Sequence, residues 1–381
     1  MSVGTNDAAL AQMLEKHRMS YVKRGLTAGI LSGMTWGLQG VLLWSLVLCF
    51  GPFAIPYSYS FYAGLVAAVS VAALHDFVAS CWILLMDAVT GRIKEIPRAL
   101  KTKPGRLAVF ACLFGGPLGM GGYVIGMYLA GVTYALAISA VYPAIGALLG
   151  RIVLKERINV RVWIGIIACL IGAVLVGWAP PEAATSGSQF YLGIAFSCCP
   201  AVGWAAEGVI SCFGMDMIDP DIAIWIREFF SSVIAMCTTV IGISIFAAAV
   251  TGGVEVLDVD GTTVNYALHW YTGWQMFFTA FTDVNSLVWI IIAAASGGFS
   301  YVFWYRALNM VGTGRAMAFN VTYALWSVPA GYLANLITPL YGWENGYAAT
   351  GLMLAGVAII TIGAILVVIN PKELFQLRNV G

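Results

Sequence analysis

One glutamate, Glu207, interrupts the apolar stretch 190–215, within the sequence GWAAEGVI. An ionisable group at the centre of a membrane helix costs about 2.5–3.5 kcal/mol on insertion scales, and such groups by default indicate a substrate or ion pathway. In that setting the carboxylate would balance the charge of a cationic substrate or carry a coupling proton. The alternative interpretation is a structural hydrogen bond between two helices.

Tryptophan accompanies this glutamate at helical spacing. Trp204 lies three residues before Glu207, and the sequence TWGLQGVL repeats the arrangement with Trp36 and Gln39. Residues three apart share one face of a helix, and aromatic rings attract organic ammonium groups through cation–π interactions. We therefore predict a substrate site made of one carboxylate and surrounding aromatic side chains. Its predicted residues are Trp36, Gln39, Tyr142, Trp204, Glu207, Tyr323 and Trp326.

Two adjacent ionisable pairs, His75–Asp76 and Arg227–Glu228, stand in the similar sequences HDFVAS and REFFSS. Adjacent residues of a helix point in different directions, so at most one member of each pair is expected to face a central cavity. Asp76 and Glu228 are the predicted coupling or gating residues. The alternative is that these charges lie near helix ends and reach towards water.

The other reactive residue types form no motif for catalysis or metal binding. The chain has eight cysteines but no C-x-x-C sequence, and it has three dispersed histidines. A metal site needs clustered ligands, and ATP binding of the P-loop kind needs a G-x4-G-K-[S/T] sequence that this chain lacks. The sequence therefore predicts no catalytic residue, no metal, no cofactor and no enzymatic activity.

The composition shows which kind of fold must position these residues. Of the 381 residues, 60% are hydrophobic and 10% are charged, whereas an average soluble domain is about 25% charged. The charged residues cluster between long apolar runs. This distribution predicts an all-α integral membrane protein that passes several times through the lipid bilayer of the cell (plasma or inner) membrane. The net charge of +1 gives no reason to expect a nucleic-acid partner.

Ten apolar stretches are long enough to span, since a helix needs about 20 residues to cross a bilayer. They are 24–50, 67–90, 106–130, 133–153, 160–178, 190–213, 221–250, 287–310, 314–336 and 348–369. Lys and Arg cluster before the first stretch and after the second and fourth. The segments predicted on the opposite side contain neither residue: 51–60, 179–189, 251–286 and 337–347. Because basic loops stay inside, both termini are predicted to be cytoplasmic.

The second half of the chain echoes the first in the same order. TWGLQGVL matches GWAAEGVI, GVTYALAISAVY matches GTGRAMAFNVTY, and GIIACLIGAVLV matches GVAIITIGAILV. Because five spans is an odd number, the second half must enter the membrane from the opposite side. Secondary transporters often have such inverted repeats, with the substrate site between them at mid-membrane. The predicted units are a cytoplasmic segment 1–23, a first repeat 24–178, an outside linker 179–189, a second repeat 190–369 with an outside aromatic insertion 253–286, and a cytoplasmic tail 370–381.

The end of each half resembles a known repeat. ALAISAVYPAIGALLGRIVLKERINVRVWIGIIACLIGAVLV is similar to the end of an EamA repeat, with a proline-containing helix, an E-R-I loop and a G-x6-G helix. FWYRALNMVGTGRAMAFNVTYALWSVPAGYLANLI resembles the matching part of a second repeat. The chain is thus identified as a member of the drug/metabolite transporter superfamily. The resemblance implies ten helices in two inverted repeats, a central cavity, alternating access, and often coupling to a proton or another solute.

Two features depart from the family pattern. Ala324 stands where the first half has Pro143, and the proline of the second half is displaced to Pro329. The chain also carries two insertions on the predicted outer side, 51–66 and 253–286. The second contains YALHWYTGWQMFFTAFTDV, and aromatic rings favour the headgroup level of a bilayer. It is therefore predicted to form an interfacial helix or a lid.

Together these observations predict a secondary transporter of a small polar organic metabolite, with a cationic or zwitterionic amine such as choline favoured. Within the same class, the alternative is a proton-coupled exporter of amino acids or other amphiphilic metabolites in which Glu207 carries protons. From other classes, a lipid-modifying membrane enzyme and a non-transporting scaffold remain as alternatives. The sequences GYVIG and GALLG suit close helix packing within one chain or in a homodimer.

Overall fold

Long helices make up most of the chain in the computed structural model. The structure describes residues 3–153, 160–178, 188–215, 217–342 and 347–368. Most of the predicted linker 179–189 and all of the predicted tail 370–381 lie outside these residues.

Seven helical segments among the described residues are long and apolar enough to cross a membrane: Gln12–Cys49, Tyr62–Val89, Lys103–Ala130, Val132–Leu149, Gln189–Cys212, Pro220–Thr251 and Val284–Val311. Two shorter apolar helices, Val160–Val176 and Gly351–Val367, coincide with the fifth and tenth predicted spans. The ninth predicted span, 314–336, is divided at residues 321–322 into two helices. A mostly helical membrane protein is therefore confirmed, while the number of ten spans stays a prediction.

The helices of the first half follow in chain order, with short 3-10 turns between some of them. They are α1 Val3–Ser45, α2 Ala54–Tyr59, α3 Tyr62–Val89, α4 Ile96–Leu100, α5 Lys103–Leu113, α6 Gly121–Ala130, α7 Val132–Ser139, α8 Tyr142–Val153 and α9 Val160–Trp178. A π-helical segment, Phe114–Met120, joins α5 to α6 and contains Pro117. Single π-turns of this kind often occur at functional sites.

Among its described residues, the second half contains eight helices and two strands that form one hairpin. They are α10 Ser188–Gly214, α11 Pro220–Ala235, α12 Ile241–Thr251, β1 Val254–Val259, β2 Thr262–Ala267, α13 Thr272–Thr279, α14 Val284–Val311, α15 Thr313–Asn320, α16 Tyr323–Ile337 and α17 Gly351–Val368. A second π-helical segment, Met236–Val240, joins α11 to α12.

Two glycines give the halves the same local break between long and short helices. Gly131 separates α6 from α7 at φ 101° and ψ 155°, and Gly312 separates α14 from α15 at φ 83° and ψ 165°. Glycine adopts positive φ without the steric cost that a Cβ atom brings. Each glycine therefore redirects the chain into an eight-residue helix without an intervening loop.

A row of glycines brings α1 close to the last helices of the chain. Gly25, Gly29, Gly33 and Gly37 are spaced four apart, and they face α14, α15 and α16 so closely that an added methyl group would clash. Small residues permit such close packing of membrane helices. This close packing fixes the rotation of α1 about its own axis. It therefore also fixes the direction in which Trp36, the neighbour of Gly37, projects.

The helices α9 and α17 run antiparallel and meet through glycines. Gly165 packs against the backbone of Gly363, and Gly172 packs against the backbone of Gly356. Because residue numbers rise along one helix while they fall along the other, the two segments cross the bundle in opposite directions. These are the segments GIIACLIGAVLV and GVAIITIGAILV, which match each other in sequence.

The two insertions form a joint cap that includes the β-hairpin. The strands β1 and β2 pair antiparallel, and Asp260 and Gly261 turn between them at φ 52° and 80°. An Asp-Gly pair suits this two-residue turn because both positions need positive φ. The Glu255 carboxylate accepts a hydrogen bond from the backbone N–H of Ala63 at 3.0 Å and one from the Ser60 hydroxyl, at the start of α3.

The strands correct the expectation of an entirely helical protein. The insertion 253–286 holds a hairpin as well as the short helix α13, whereas the sequence analysis predicts an interfacial helix or lid there. The aromatic residues that prompted that expectation follow the hairpin. The hydrogen bond from Tyr59 to Asp260, at 3.0 Å, raises the pKa of the Tyr59 hydroxyl.

At the end of the bundle that carries the basic loop 92–106, ion pairs join the 3-10 turn after α3, the start of α11, and α14. Arg92 lies 3.0 Å from Asp219 and 2.6 Å from Asp221, and Arg306 donates to both oxygens of Asp221 at 2.8 and 2.7 Å. Burial opposes the charge of Arg92, but the two carboxylates outweigh it and raise the pKa of the guanidinium. Arg306 thus offsets the charge of Asp221 at the start of α11.

Candidate functional site

The centre of the bundle is built around two tryptophans from corresponding places in the two halves. Trp36 of α1 and Trp204 of α10 are 4% and 5% exposed. Their ring centroids lie 5.2 Å apart at an interplanar angle of 88°. Tyr301 of α14 lies 4.9 Å from Trp36, and Tyr123 of α6 lies 5.3 Å from Trp204. Edge-to-face contacts of this kind are favourable for aromatic pairs.

The rings of Trp36, Trp204 and Tyr301 form part of the wall of a small cavity. The cavity has a volume of about 20 Å³, which is room for about one water molecule and far below the range of about 300–1,000 Å³ that is usual for ligand pockets. The aromatic walls are therefore nearly closed on one another in this conformation. The cavity wall consists of Trp36, Tyr142, Trp204, Ser300, Tyr301, Trp304, Asn320 and Tyr323.

Hydrogen bonds hold the two wall tyrosines in related ways. The Tyr142 hydroxyl donates to Asn320 Oδ1 at 2.8 Å, and the Tyr323 hydroxyl lies 2.9 Å from Ser139 Oγ. In the matching sequences GVTYALAISAVY and GTGRAMAFNVTY, Tyr142 aligns with Tyr323 and Ser139 with Asn320. Asn320, the partner of Tyr142, is thus the counterpart of Ser139, the partner of Tyr323. The two hydrogen bonds are interchanged between the two halves of the chain.

A buried guanidinium pairs with the central glutamate. Arg227 of α11 donates to both oxygens of Glu207, at 2.7 and 3.1 Å, and Tyr305 donates to Glu207 at 2.9 Å. Glu207, Arg227 and Tyr305 are all fully buried. Two-pronged pairing of arginine with a carboxylate fixes geometry as well as charge. The Glu207 side chain is thus held in one orientation behind the cavity wall.

The Arg227 guanidinium also lies close to two other carboxylates. Arg227 also bonds to Glu228 and lies 3.9 Å from Asp76. Asp76 in turn accepts from the Ser231 hydroxyl and lies 3.1 Å from His75 Nδ1. We refer to Asp76, Glu207, Arg227 and Glu228 as the buried charge cluster. With three acids and one base, it carries two net negative charges (three minus one) when every acid is ionised and His75 is neutral.

The cluster touches the cavity through one aromatic ring. The Cζ atom of Arg227 lies 4.7 Å from the centroid of the Tyr301 ring, and Tyr301 belongs to the cavity wall. Among the described residues, the cavity wall itself contains no Asp, Glu, His, Lys or Arg. The arrangement is therefore an aromatic compartment with an acidic cluster directly behind it.

The π-helical segment makes room for the central ion pair. A methyl group added at Gly115 would overlap both the Glu207 carboxylate and the Arg227 guanidinium. The indole of Trp204 donates to the Gly115 carbonyl at 3.3 Å. The missing side chain of Gly115 thus leaves space for Glu207, and the carbonyl of Gly115 accepts a hydrogen bond from Trp204. Trp204 and Glu207 are the two residues of the sequence GWAAE that were predicted to bind substrate.

The first part of the chain matches a known family. Residues 23–178 match the model of the EamA-like transporter family. This match and the long apolar helices indicate a multi-pass membrane protein, and the match agrees with the resemblance to the drug/metabolite transporter superfamily.

Two individual proteins are similar to this chain over most of its length. Protein LicB of Haemophilus influenzae (strain ATCC 51907 / DSM 11121 / KW20 / Rd) is 25% identical over 313 residues, which cover 81% of this chain and 89% of LicB. A solved structure described as "Crystal structure of protein" is 16% identical and covers 88% of this chain and 95% of its own, with a TM-score of 0.48. At that TM-score the second likeness carries no argument.

The structure brings four of the predicted substrate residues to the cavity wall: Trp36, Tyr142, Trp204 and Tyr323. Glu207 lies behind the wall, in the buried charge cluster. Gln39 is fully buried, and its side-chain amide has no hydrogen-bond partner among the described residues. Trp326 is 37% exposed and is not part of the wall.

The predicted coupling residues lie closer to the centre than helix-end charges would. Asp76 is 1% exposed and Glu228 is fully buried, and both join the buried charge cluster. The sequence analysis treated Arg227 only as the neighbour of Glu228. Its pairing with Glu207, twenty residues away, depends on how α10 and α11 pack.

Four wall residues were not predicted: Ser300, Tyr301, Trp304 and Asn320. Tyr301 and Trp304 are three residues apart in α14, the same spacing that drew attention to Trp36 and Trp204. That spacing was the available signal. Asn320 is the repeat counterpart of Ser139, so its polarity in an apolar stretch was a second signal.

Proposed function

We propose that this chain is a secondary transporter in the cell membrane that moves a small organic cation by alternating access, and that the cation is a quaternary ammonium compound of the choline type. The observation that carries this proposal is the closed aromatic cavity between Trp36 and Trp204. Aromatic faces attract ammonium groups, and six of the eight wall residues are aromatic. Because the cavity has a volume of only about 20 Å³ in this conformation, its walls must separate to admit the substrate, as alternating access requires.

The proposed architecture is a pair of five-helix halves inserted in opposite directions. Three structural features support it. The matched segments α9 and α17 run antiparallel, the glycine breaks at 131 and 312 have similar backbone angles, and the hydrogen bonds of Tyr142 and Tyr323 are interchanged between the halves. In transporters with inverted repeats, substrate lies between the halves, which is where this cavity is found.

The charge of the substrate follows from what lies behind the aromatic wall. The buried charge cluster has more acids than bases, and charges interact strongly where water is excluded. A cation in the cavity is therefore favoured over an anion. Arg227, which lies against Tyr301, shows that this ring accepts a cation on one face.

The type of cation follows from the polar atoms of the wall. A primary ammonium has three N–H donors that need acceptors. In the described wall, Asn320 Oδ1 already accepts from Tyr142, and Ser300 Oγ is bonded to Ser32. A quaternary ammonium has no N–H donor and needs aromatic faces instead. The wall therefore suits a quaternary ammonium better than a primary amine.

A ligand screen on the purified wild-type protein tests the proposal. A ligand that binds the folded state stabilises it in proportion to the logarithm of its concentration over its dissociation constant. We expect choline and tetramethylammonium to raise the melting temperature in a concentration-dependent way. Amino acids, nucleosides and sugars at equal concentration should not. Stabilisation by anions alone would contradict the proposal.

The buried charge cluster also supports a proposal about coupling. Its excess of acid gives it a place for a transferable proton, and Asp76 and Glu228 are the proposed coupling residues. Glu228→Gln keeps the shape of the side chain and removes one ionisable group. We expect this variant to retain exchange of choline between the two sides of a liposome but to lose accumulation driven by a pH gradient.

The outcome of that comparison separates a coupling role from a structural one. Ser232→Ala is a matched control on α11, because Ser232 bonds only to the Ala73 carbonyl outside the cluster. It should retain both activities. If Glu228→Gln lost exchange and accumulation together, or kept both, the coupling role would be contradicted.

The second candidate function is a proton-coupled exporter of amino acids or other amphiphilic metabolites, with Glu207 as the proton carrier. It is favoured by the position of Glu207 behind the cavity wall rather than in it. Glu207→Gln distinguishes the two functions. In a cation site, Glu207 is the two-pronged partner of Arg227 behind Tyr301, so its loss leaves that guanidinium less neutralised beside the cavity and choline exchange should fall. An exporter of the second kind should keep exchange of its substrate and lose gradient-driven transport.

A further inference from the structure

Three hydrogen-bond donors in the cavity wall have no partner among the described residues. They are the indole N–H groups of Trp36 and Trp304 and the hydroxyl of Tyr301. The three side chains are 4%, 4% and 3% exposed. Buried donors in folded proteins are nearly always paired, because an unpaired one costs free energy. Three on the wall of one cavity indicate that an acceptor belongs there.

No polar atom of the described residues accepts a hydrogen bond from these three donors. The side-chain oxygen of Asn320 accepts from Tyr142 at 2.8 Å, and Ser300 Oγ donates to the Ser32 carbonyl at 2.8 Å. An indole N–H can only donate. The cavity thus has a surplus of donors beside its aromatic faces, and a purely hydrocarbon cation would leave that surplus unpaired.

Resting on the function proposed above, we propose that Trp36, Tyr301 and Trp304 select a substrate that carries an uncharged oxygen acceptor, a hydroxyl or an ether, next to its quaternary ammonium. The ammonium occupies the aromatic faces, and the oxygen, which has two lone pairs, accepts from up to two of the unpaired donors. A carboxylate would also accept, but the buried charge cluster holds three acids against one base, and it disfavours an anionic group. The specificity is therefore for a neutral oxygen.

A pair of ligands of nearly equal shape tests this selection. Choline and propyltrimethylammonium differ by one group, a hydroxyl in the first and a methyl in the second. We expect choline to bind about tenfold more tightly to the purified wild-type protein, by titration calorimetry, as one neutral hydrogen bond is worth up to about that factor. Equal or tighter binding of the propyl compound would overturn the selection. If neither bound, the proposed function would fail instead.

Two conservative variants identify the donors. Tyr301→Phe removes one hydroxyl and Trp304→Phe removes one N–H while each keeps a ring. We expect each variant to bring the ratio of the two affinities towards one. Tyr323→Phe is the matched control, because this wall hydroxyl is already bonded to Ser139. It should change both affinities together and leave their ratio near the wild-type value. A preference that survives in both test variants contradicts the assignment.

Glycine betaine separates a neutral acceptor from a charged one. It has the same trimethylammonium group as choline and a carboxylate in place of the hydroxyl. We expect it to bind more weakly than choline to the wild-type protein. If betaine bound more tightly than choline, the donors would be selecting an anion, and the assignment to a neutral oxygen would be overturned.

Discussion

Arg227→Gln is expected to destabilise the protein by about 3–5 kcal/mol, because removal of one partner from a buried ion pair leaves uncompensated charge. Arg227 is fully buried, bonds to Glu207 and Glu228, and lies 3.9 Å from Asp76. Without it three carboxylates would share one dry region. For a chain of this size the loss corresponds to a decrease of roughly 10 °C in melting temperature, measurable by thermal unfolding in detergent.

Two further variants show whether charge is the cause. Arg227→Gln combined with Glu207→Gln removes one acid together with the base, so the double variant should be more stable than Arg227→Gln alone. Such a coupling is what a double-mutant cycle measures. Arg18→Gln is the control, since Arg18 forms an exposed pair with Glu15, and exposed pairs contribute about 0–1 kcal/mol. An Arg227→Gln protein as stable as the control would contradict the buried charge cluster.

Trp204→Ala is expected to weaken choline binding at least about 30-fold, because a desolvated cation–π contact is worth about 2 kcal/mol or more. Trp204 packs against Trp36 and Tyr123, with centroid distances of 5.2 and 5.3 Å. Its removal would open one side of the cavity wall. The dissociation constant can be measured by titration calorimetry on purified protein.

Large-to-small changes in a core also cost stability, so the alanine variant needs companions. Trp204→Phe retains an aromatic face and should lose less affinity than Trp204→Ala. Trp326→Ala removes a tryptophan that is 37% exposed and outside the cavity wall, and it should bind choline as the wild type does. Loss of binding in Trp326→Ala together with normal binding in Trp204→Ala would place the site elsewhere.

The internal echo of the sequence singled out aromatic residues that lie together in the structure. Trp36 and Trp204 are equivalent in the matched segments, and their rings meet at the cavity. Tyr142 and Tyr323, paired by the same echo, also line the cavity, while the role of these residues in substrate binding stays a prediction. Trp326 was included through its spacing from Tyr323, and spacing alone does not show which side of a helix faces a cavity.

The partner of Glu207 could not be predicted because it depends on packing between helices. Arg227 is adjacent to Glu228 in sequence, and an adjacent opposite charge is the simplest apparent partner. Only the packing of α11 against α10 and the space left at Gly115 bring the guanidinium to Glu207. Local periodicity describes the face of one helix and contains no information about the angle at which another crosses it.

The hairpin in the second insertion was missed although a local signal existed. Residues 254–259 and 262–267 flank the Asp-Gly pair at 260–261, which is a strong sequence indication of a two-residue turn. The aromatic segment that follows this pair favoured an interfacial helix or a lid instead, because the rest of the chain is rich in helices. The interaction of Glu255 with the start of α3 could not be read from sequence, since the two lie far apart along the chain.

Exchange of labelled choline across proteoliposomes tests the central claim most directly. Liposomes that contain the purified wild-type protein are loaded with unlabelled choline and diluted into labelled choline, so that transport needs no ion gradient. We expect saturable uptake of label that tetramethylammonium inhibits and that Trp204→Ala abolishes. If wild-type liposomes took up no more label than protein-free liposomes, while preloaded amino acids exchanged, the cavity would not be a quaternary ammonium site.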